Sequence, residues 1–172
     1  MRSTIKIVIL LFFICISMSG ASFPDMEKYM RQHALIWEQL PMQWNEGAFL
    51  GNGLVGMMVY ADSTLNALVF HLGRPDVTDH RKAPYRKTSI GTEEADKMVD
   101  FCRLDVGKML LFPEGKILSG TFYLDIYNAE LTGHLKTDKG DLTFHAYTPQ
   151  PEEVNIVEVS SGVPYRWKIG RA

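Results

Sequence analysis

Disulfide bonding is the first thing this chain lacks the means for. It has two cysteines, Cys15 and Cys102, and Cys15 sits in an apolar run near the start. If that segment is removed, Cys102 alone remains and no internal disulfide can form, so stability has to come from a packed core. Cys102 reads as a buried, inert thiol rather than a reactive one. Charge of one sign is also missing. Lys and Arg number 18 against 20 Asp and Glu, which gives no support for nucleic-acid binding. No run of like charge suggests a membrane-surface patch. The apolar run 7–18 is too short to span a bilayer. There is no phosphate loop, no G-x-S-x-G elbow and no cofactor fingerprint, so no cofactor is expected. Internal repeats and low-complexity tracts are absent too.

The opening residues instead read as a secretory signal. Arg2 and Lys6 give a basic start, the run 7–18 is apolar, and Ser19-Gly20-Ala21 supplies small residues for cleavage. This predicts an exported protein, periplasmic or extracellular, with a mature start near Ser22. A lipoprotein signal fits less well, because Cys15 follows Ile14 within the apolar run. Removal of residues 1–21 takes away two basic residues and no acidic one, so the remaining chain leans slightly acidic.

The body of the chain is organised around residues 44–60, WNEGAFLGNGLVGMMVY. Gly51-Asn52-Gly53 is a turn signal, since glycine reaches positive φ freely and asparagine tolerates it. Residues 54–60 are apolar on both alternating faces, with Val55, Met57 and Val59 on one and Leu54, Gly56, Met58 and Tyr60 on the other. That suits a strand covered on both sides. Ala61-Asp62-Ser63-Thr64 breaks the run, and 65–72 reads as the returning strand. Upstream, 22–34 reads as an arm that is either loose or opens a short helix at Pro24-Asp25-Met26-Glu27. Leu35-Ile36-Trp37 is a short strand ended by Pro41. Downstream, 73–91 is a long polar loop punctuated by Pro75 and Pro84. Thr92 can cap one or two helical turns over 92–100. Strands follow over 101–112, 121–127, 129–136, 142–146 and 154–159. In 121–127, Phe122, Leu124 and Ile126 face one way while Tyr123, Asp125 and Tyr127 face the other. Short strands at regular spacing predict an all-β, antiparallel β-sandwich over 35–163, with one or two short helices and a tail or linker at 164–172.

Trp44, then Leu50-Gly51-Asn52-Gly53, then Gly56 and Met58-Val59 resemble the opening motif of glycoside hydrolase family 95, the α-L-fucosidase-like enzymes. The fucosidases continue with L-N-E and L-W-x-G. Here the chain has Phe70-His71-Leu72-Gly73-Arg74-Pro75-Asp76, and this L-G-R-x-D form is closer to domain-of-unknown-function family 5703. Further on, Gly120, Leu124-Asp125-Ile126, Ala129, Leu131, Thr137 and Gly140 are similar to paired strands of the same N-terminal domain. The likeness covers about residues 35–159. It implies a sandwich that packs against a catalytic (α/α)6 barrel, in an enzyme that hydrolyses α-linked fucose or a related sugar with inversion. The family's acid and base lie in the barrel, so no catalytic residue carries over. On this reading a chain that stops at Ala172 is a fragment or a truncated gene product. A free-standing carbohydrate-binding module is the alternative.

Glycan-contacting candidates are Trp44, Glu46, Asn52, Arg74 and Asp76. Trp44 beside Glu46 pairs an aromatic platform with a polar group. A tryptophan packing the sandwich edge is the simpler account of Trp44. Arg74, Asp76, Asp79, His80 and Arg81 form the densest polar cluster. It suits hydrogen bonding to sugar hydroxyls or docking to a barrel, but a salt-bridged solvated loop is the simpler account. His71, Asp76, Asp79 and His80 match no zinc or calcium spacing, so no metal is expected. His33, His134 and His145 are scattered. The expected partners are the catalytic barrel and a glycan.

Overall fold

The computed structural model describes residues 24–78 and 104–170. The signal segment, the helix expected at 92–100, Asp79, His80, Arg81 and Cys102 lie outside the described residues. The chain divides into two units, Met1–His33 and Ala34–Ala172. In the first, Met26–Arg31 forms a short helix, α1, with Asp25 as N-cap. The Asp25 carboxylate accepts from the Lys28 N–H at 3.2 Å, satisfying one of the orphan donors of the first turn. Glu27 and Arg31 pair one turn apart at 3.0 Å.

The second unit is the predicted all-β sandwich. Its strands are β1 (Leu35–Trp37), β2 (Ala48–Gly51), β3 (Gly56–Asp62), β4 (Ala67–Gly73), β5 (Gly107–Pro113), β6 (Ile117–Asp125), β7 (Glu130–Thr137), β8 (Asp141–Tyr147), β9 (Ile156–Ser161) and β10 (Tyr165–Gly170). They form two antiparallel five-stranded sheets. The first has the order β1-β6-β7-β8-β9 and the second β10-β5-β4-β3-β2. Residues 164–172, expected as a tail or linker, are therefore largely strand. β10 pairs along its whole length with β5, Trp167 opposite Leu111. Its alternation of Tyr165, Trp167 and Ile169 with Arg166 and Lys168 is the period-two signal of a strand.

The core lies between the sheets. Register puts Ala48, Val59 and Phe70 side by side on one inner face, and Phe122, Gly133 and Phe144 on the other. Phe70 and Phe144 meet edge to face across the interior, with centroids 5.5 Å apart, and Phe144 meets Phe122 at 5.4 Å. Burial of each such large side chain contributes about 1.5–3 kcal/mol. Where strand limits differ from expectation, polar side chains close the turns. Strand β3 starts at Gly56 rather than Leu54 because the Asn52 carbonyl oxygen (Oδ1) accepts from the N–H groups of Leu54 and Val55, at 3.1 and 3.0 Å. Strand β6 stops at Asp125, which is buried instead of facing out with Tyr123. One carboxylate oxygen of Asp125 accepts from Tyr127 N–H at 2.9 Å and from Asn128 N–H at 3.3 Å.

A groove at the β2–β3 turn

Five strand ends and turns of the second sheet converge on one open groove of about 970 Å³. Its floor is the outer face of the sheet, where Phe49, Met58 and His71 stand side by side on β2, β3 and β4. The 3-10 turn Trp44–Glu46 supplies one wall. That turn is anchored from beneath, since the Trp37 indole N–H donates to the Glu46 carbonyl at 2.9 Å. Trp44 and Phe49 are 62% and 56% exposed, two large aromatic surfaces left facing the groove. The opposite wall is Arg74 and Pro75, just past β4, with Leu104 and Asp105 just before β5.

Two charged assemblies line this wall. The Arg74 guanidinium donates to both carboxylate oxygens of Asp76, at 2.9 and 2.8 Å, and to Glu153 at 2.7 Å. The forked hydrogen bond from Arg74 holds the Asp76 carboxyl below its usual range, while Asp76 and Glu153 raise the guanidinium's pKa further. These groups are exposed, so the pair orders the wall more than it stabilises the fold. Secondly, the His71 ring nitrogen Nε2 lies 2.7 Å from Asp105 Oδ2, and the other oxygen of Asp105 accepts from Gly107 N–H at 3.2 Å. Tyr60, on the same sheet face, has its pKa raised by burial first and then by Asp62 and Asp105.

The sequence candidates separate into three groups here. Trp44 and Arg74 both line the groove. Glu46 and Asp76 stand beside it and are absent from its lining, Glu46 through its turn and Asp76 through its pairing to Arg74. Asn52 has its side chain committed elsewhere. Its amide nitrogen donates to the carbonyls of Pro149 and Glu152, at 2.9 and 2.8 Å. The Gln150 amide donates back to the Asn52 carbonyl. Asn52 therefore fastens the β2–β3 turn to the β8–β9 loop and presents no free donor to a ligand. Sequence reasoning missed Phe49 and Asp105. Phe49 was detectable as the outward residue of a strand whose neighbours are buried. Asp105 was not, because nothing local marks it as the partner of His71, which is 34 residues away.

A smaller depression of about 590 Å³ crosses the outer face of the first sheet. A continuous row of Ile36, Tyr123, Thr132, His145 and Glu158 spans all five strands. His145 stands between Glu158 at 3.1 Å and Glu130 at 3.3 Å. Among the described residues no group of three or more His, Cys, Asp or Glu is arranged to hold a metal. No protein-family model matches this chain, and no curated protein matches it.

Proposed function

We propose that this sandwich is the non-catalytic N-terminal domain of an exported glycoside hydrolase acting on α-linked fucose or a related sugar, with its β2–β4 groove lining one side of the sugar cleft. The class of enzyme rests on the motif resemblance through Trp44, Leu50-Gly51-Asn52-Gly53 and the L-G-R-x-D segment. The observation that supports sugar contact is the convergence of exposed Trp44 and Phe49 with Arg74 and the His71–Asp105 pair in one groove. Aromatic faces suit the apolar face of a pyranose. A few oriented polar groups at the rim suit its hydroxyls. The catalytic barrel, as partner, would supply the opposite wall.

Titration of L-fucose and fucosylated oligosaccharides, followed by calorimetry, tests the reading. Trp44→Ala and Phe49→Ala are each expected to weaken binding at least about tenfold, the equivalent of 1.4 kcal/mol, while leaving the circular dichroism spectrum unchanged. Binding that is insensitive to both substitutions would remove the groove from the proposal. A free-standing carbohydrate-binding module is the second reading, favoured by the two exposed aromatic faces of Trp44 and Phe49 in a groove on the sandwich itself. Retention of the isolated protein on plant or mucin polysaccharide supports that reading over a domain that needs its barrel. Export follows from the signal-like residues 1–21. N-terminal sequencing of protein recovered outside the cytoplasm should read from near Ser22, and an intact Met1 would count against it.

A further inference from the structure

An arginine that lines a ligand groove is ordinarily a receptor for anions, because its planar fork matches a carboxylate. Arg74 is not free to act in that way. Its fork is already filled, with Nε and Nη2 donating to the two oxygens of Asp76 at 2.9 and 2.8 Å. Its remaining nitrogen, Nη1, donates to Glu153 at 2.7 Å. An incoming carboxylate would have to displace one of these two or settle beside both. The bracketing carboxylates are also the more open groups, each 53% exposed against 28% for the Arg74 side chain.

The bracket is built from both sheets. Asp76 follows β4, whereas Glu153 lies in the β8–β9 loop. That loop is pinned beside the groove by Asn52, whose amide nitrogen donates to the Pro149 and Glu152 carbonyls at 2.9 and 2.8 Å. Glu153 is therefore held next to Arg74 by the same turn that lines the groove. The forked bond from Arg74 keeps Asp76 ionised below the usual carboxylate range, so its charge is present at neutral and mildly acid pH.

Charge then decides what the wall accepts. Among the described lining residues Arg74 is the single Lys or Arg and Asp105 the single carboxylate. Adding Asp76 and Glu153 gives three carboxylates to one guanidinium, a balance that stays negative even with a proton on His71. Outside the lining, Lys108 opposite His71 on β5 is matched by Glu46 in the Trp44–Glu46 turn. Like charges facing each other across a binding site exclude wrong partners. Three of the five guanidinium N–H donors are taken. The two that are left suit neutral oxygens such as hydroxyls.

We infer that the Arg74–Asp76–Glu153 bracket is a specificity device, which, resting on the sugar-contact reading of this groove, admits neutral glycans and rejects those with a carboxylate or sulfate at the Arg74 wall. Fucose itself is neutral, so the selection falls on the sugars attached to it.

The test titrates the whole chain with a matched pair of ligands. One is a neutral trisaccharide of fucose, galactose and glucose. The other is the same trisaccharide with its galactose oxidised at C6 to the uronic acid. Calorimetry is expected to show the neutral form binding at least about tenfold more tightly, with the gap closing as salt is raised from about 0.05 M to about 1 M. The double variant Asp76→Asn, Glu153→Gln keeps acceptor oxygens around Arg74 and removes both charges. It should bind the acidic form at least as tightly as the neutral one, a gain that loss of folding cannot produce. Adding Arg74→Gln to that variant should abolish the gain. Equal wild-type affinities, or a double variant that keeps the wild-type preference, would overturn the inference and leave the sugar-contact reading standing. A wild-type chain that binds neither form would remove the sugar-contact reading, and the inference with it.

Discussion

Asn52 uses its entire side chain on backbone groups. The oxygen closes the β2–β3 turn through Leu54 and Val55 N–H, while the nitrogen holds the β8–β9 loop through the Pro149 and Glu152 carbonyls. Gly53 follows at φ +91°, where a side chain is strained. Substitution Asn52→Ala removes four hydrogen bonds and leaves part-buried groups unpaired, which should cost about 2–3 kcal/mol. Asn52→Asp separates the two halves of that role. It keeps the acceptor for the turn but aims an anionic oxygen at two carbonyls. Urea midpoints should therefore fall at least as far for aspartate as for alanine. An aspartate variant with the wild-type midpoint would mean that the loop bonds contribute nothing. The turn half of this role is legible in Gly51-Asn52-Gly53. The loop half is not, because Pro149 and Glu152 lie 97 and 100 residues further along. Asp76 likewise stood out as a charged neighbour of Arg74, whereas the third member of that cluster, Glu153, is 79 residues distant.

At the scale of elements, period-two patterning carried most of the fold. Leu142, Phe144 and Ala146 are buried in β8, and Leu131 and Leu135 are buried in β7, because alternating side chains reach one face. What patterning does not convey is why Gly133 interrupts the inner row of β7. A side chain there would overlap the Phe144 ring, which packs directly over the Gly133 backbone. The missing side chain on β7 is filled by an aromatic one from β8, and the two are paired in register. Gly133→Ala should then destabilise the sandwich by about 1–3 kcal/mol through overpacking. Phe144→Leu in the Gly133→Ala background should recover part of that loss. The double-mutant cycle measured by thermal or chemical denaturation checks the coupling. Strict additivity of the two substitutions would show that ring and glycine do not share the space. The same reasoning explains the misjudged strand ends. Hydrophobic alternation locates a strand's middle, but side chains such as Asp125 and Asn52, bonded to the next few backbone N–H groups, set where it stops.

At the scale of the whole molecule, sheet membership was the part beyond sequence reading. Strands β9 and β10 are separated by only Gly162, Val163 and Pro164, yet they belong to different sheets. A hairpin between them would have given the same alternation. This crossing places β10 at the opposite end of the second sheet's strand order from β2 and the groove at the β2–β3 turn. The last prediction concerns what that groove can do alone. Inverting hydrolysis needs two carboxyl groups about 6.5–9.5 Å apart, one protonated as acid and one free to activate water. Among the groove's described lining residues Asp105 is the single carboxylate, and it is engaged by His71 and the Gly107 N–H. Asp76 and Glu153, the carboxylates bonded to the lining residue Arg74, are both engaged by it. The bond to Arg74 also keeps the Asp76 carboxyl ionised to lower pH than usual, which suits it poorly to donating a proton. The purified chain is therefore expected to release no phenol from aryl α-fucosides or α-galactosides, even where it binds the sugar. Turnover that survives purification and disappears on Asp105→Asn would place an acid or base in this groove and make the sandwich itself the catalyst. Turnover lost instead on Glu46→Gln would move the chemistry to the Trp44–Glu46 turn.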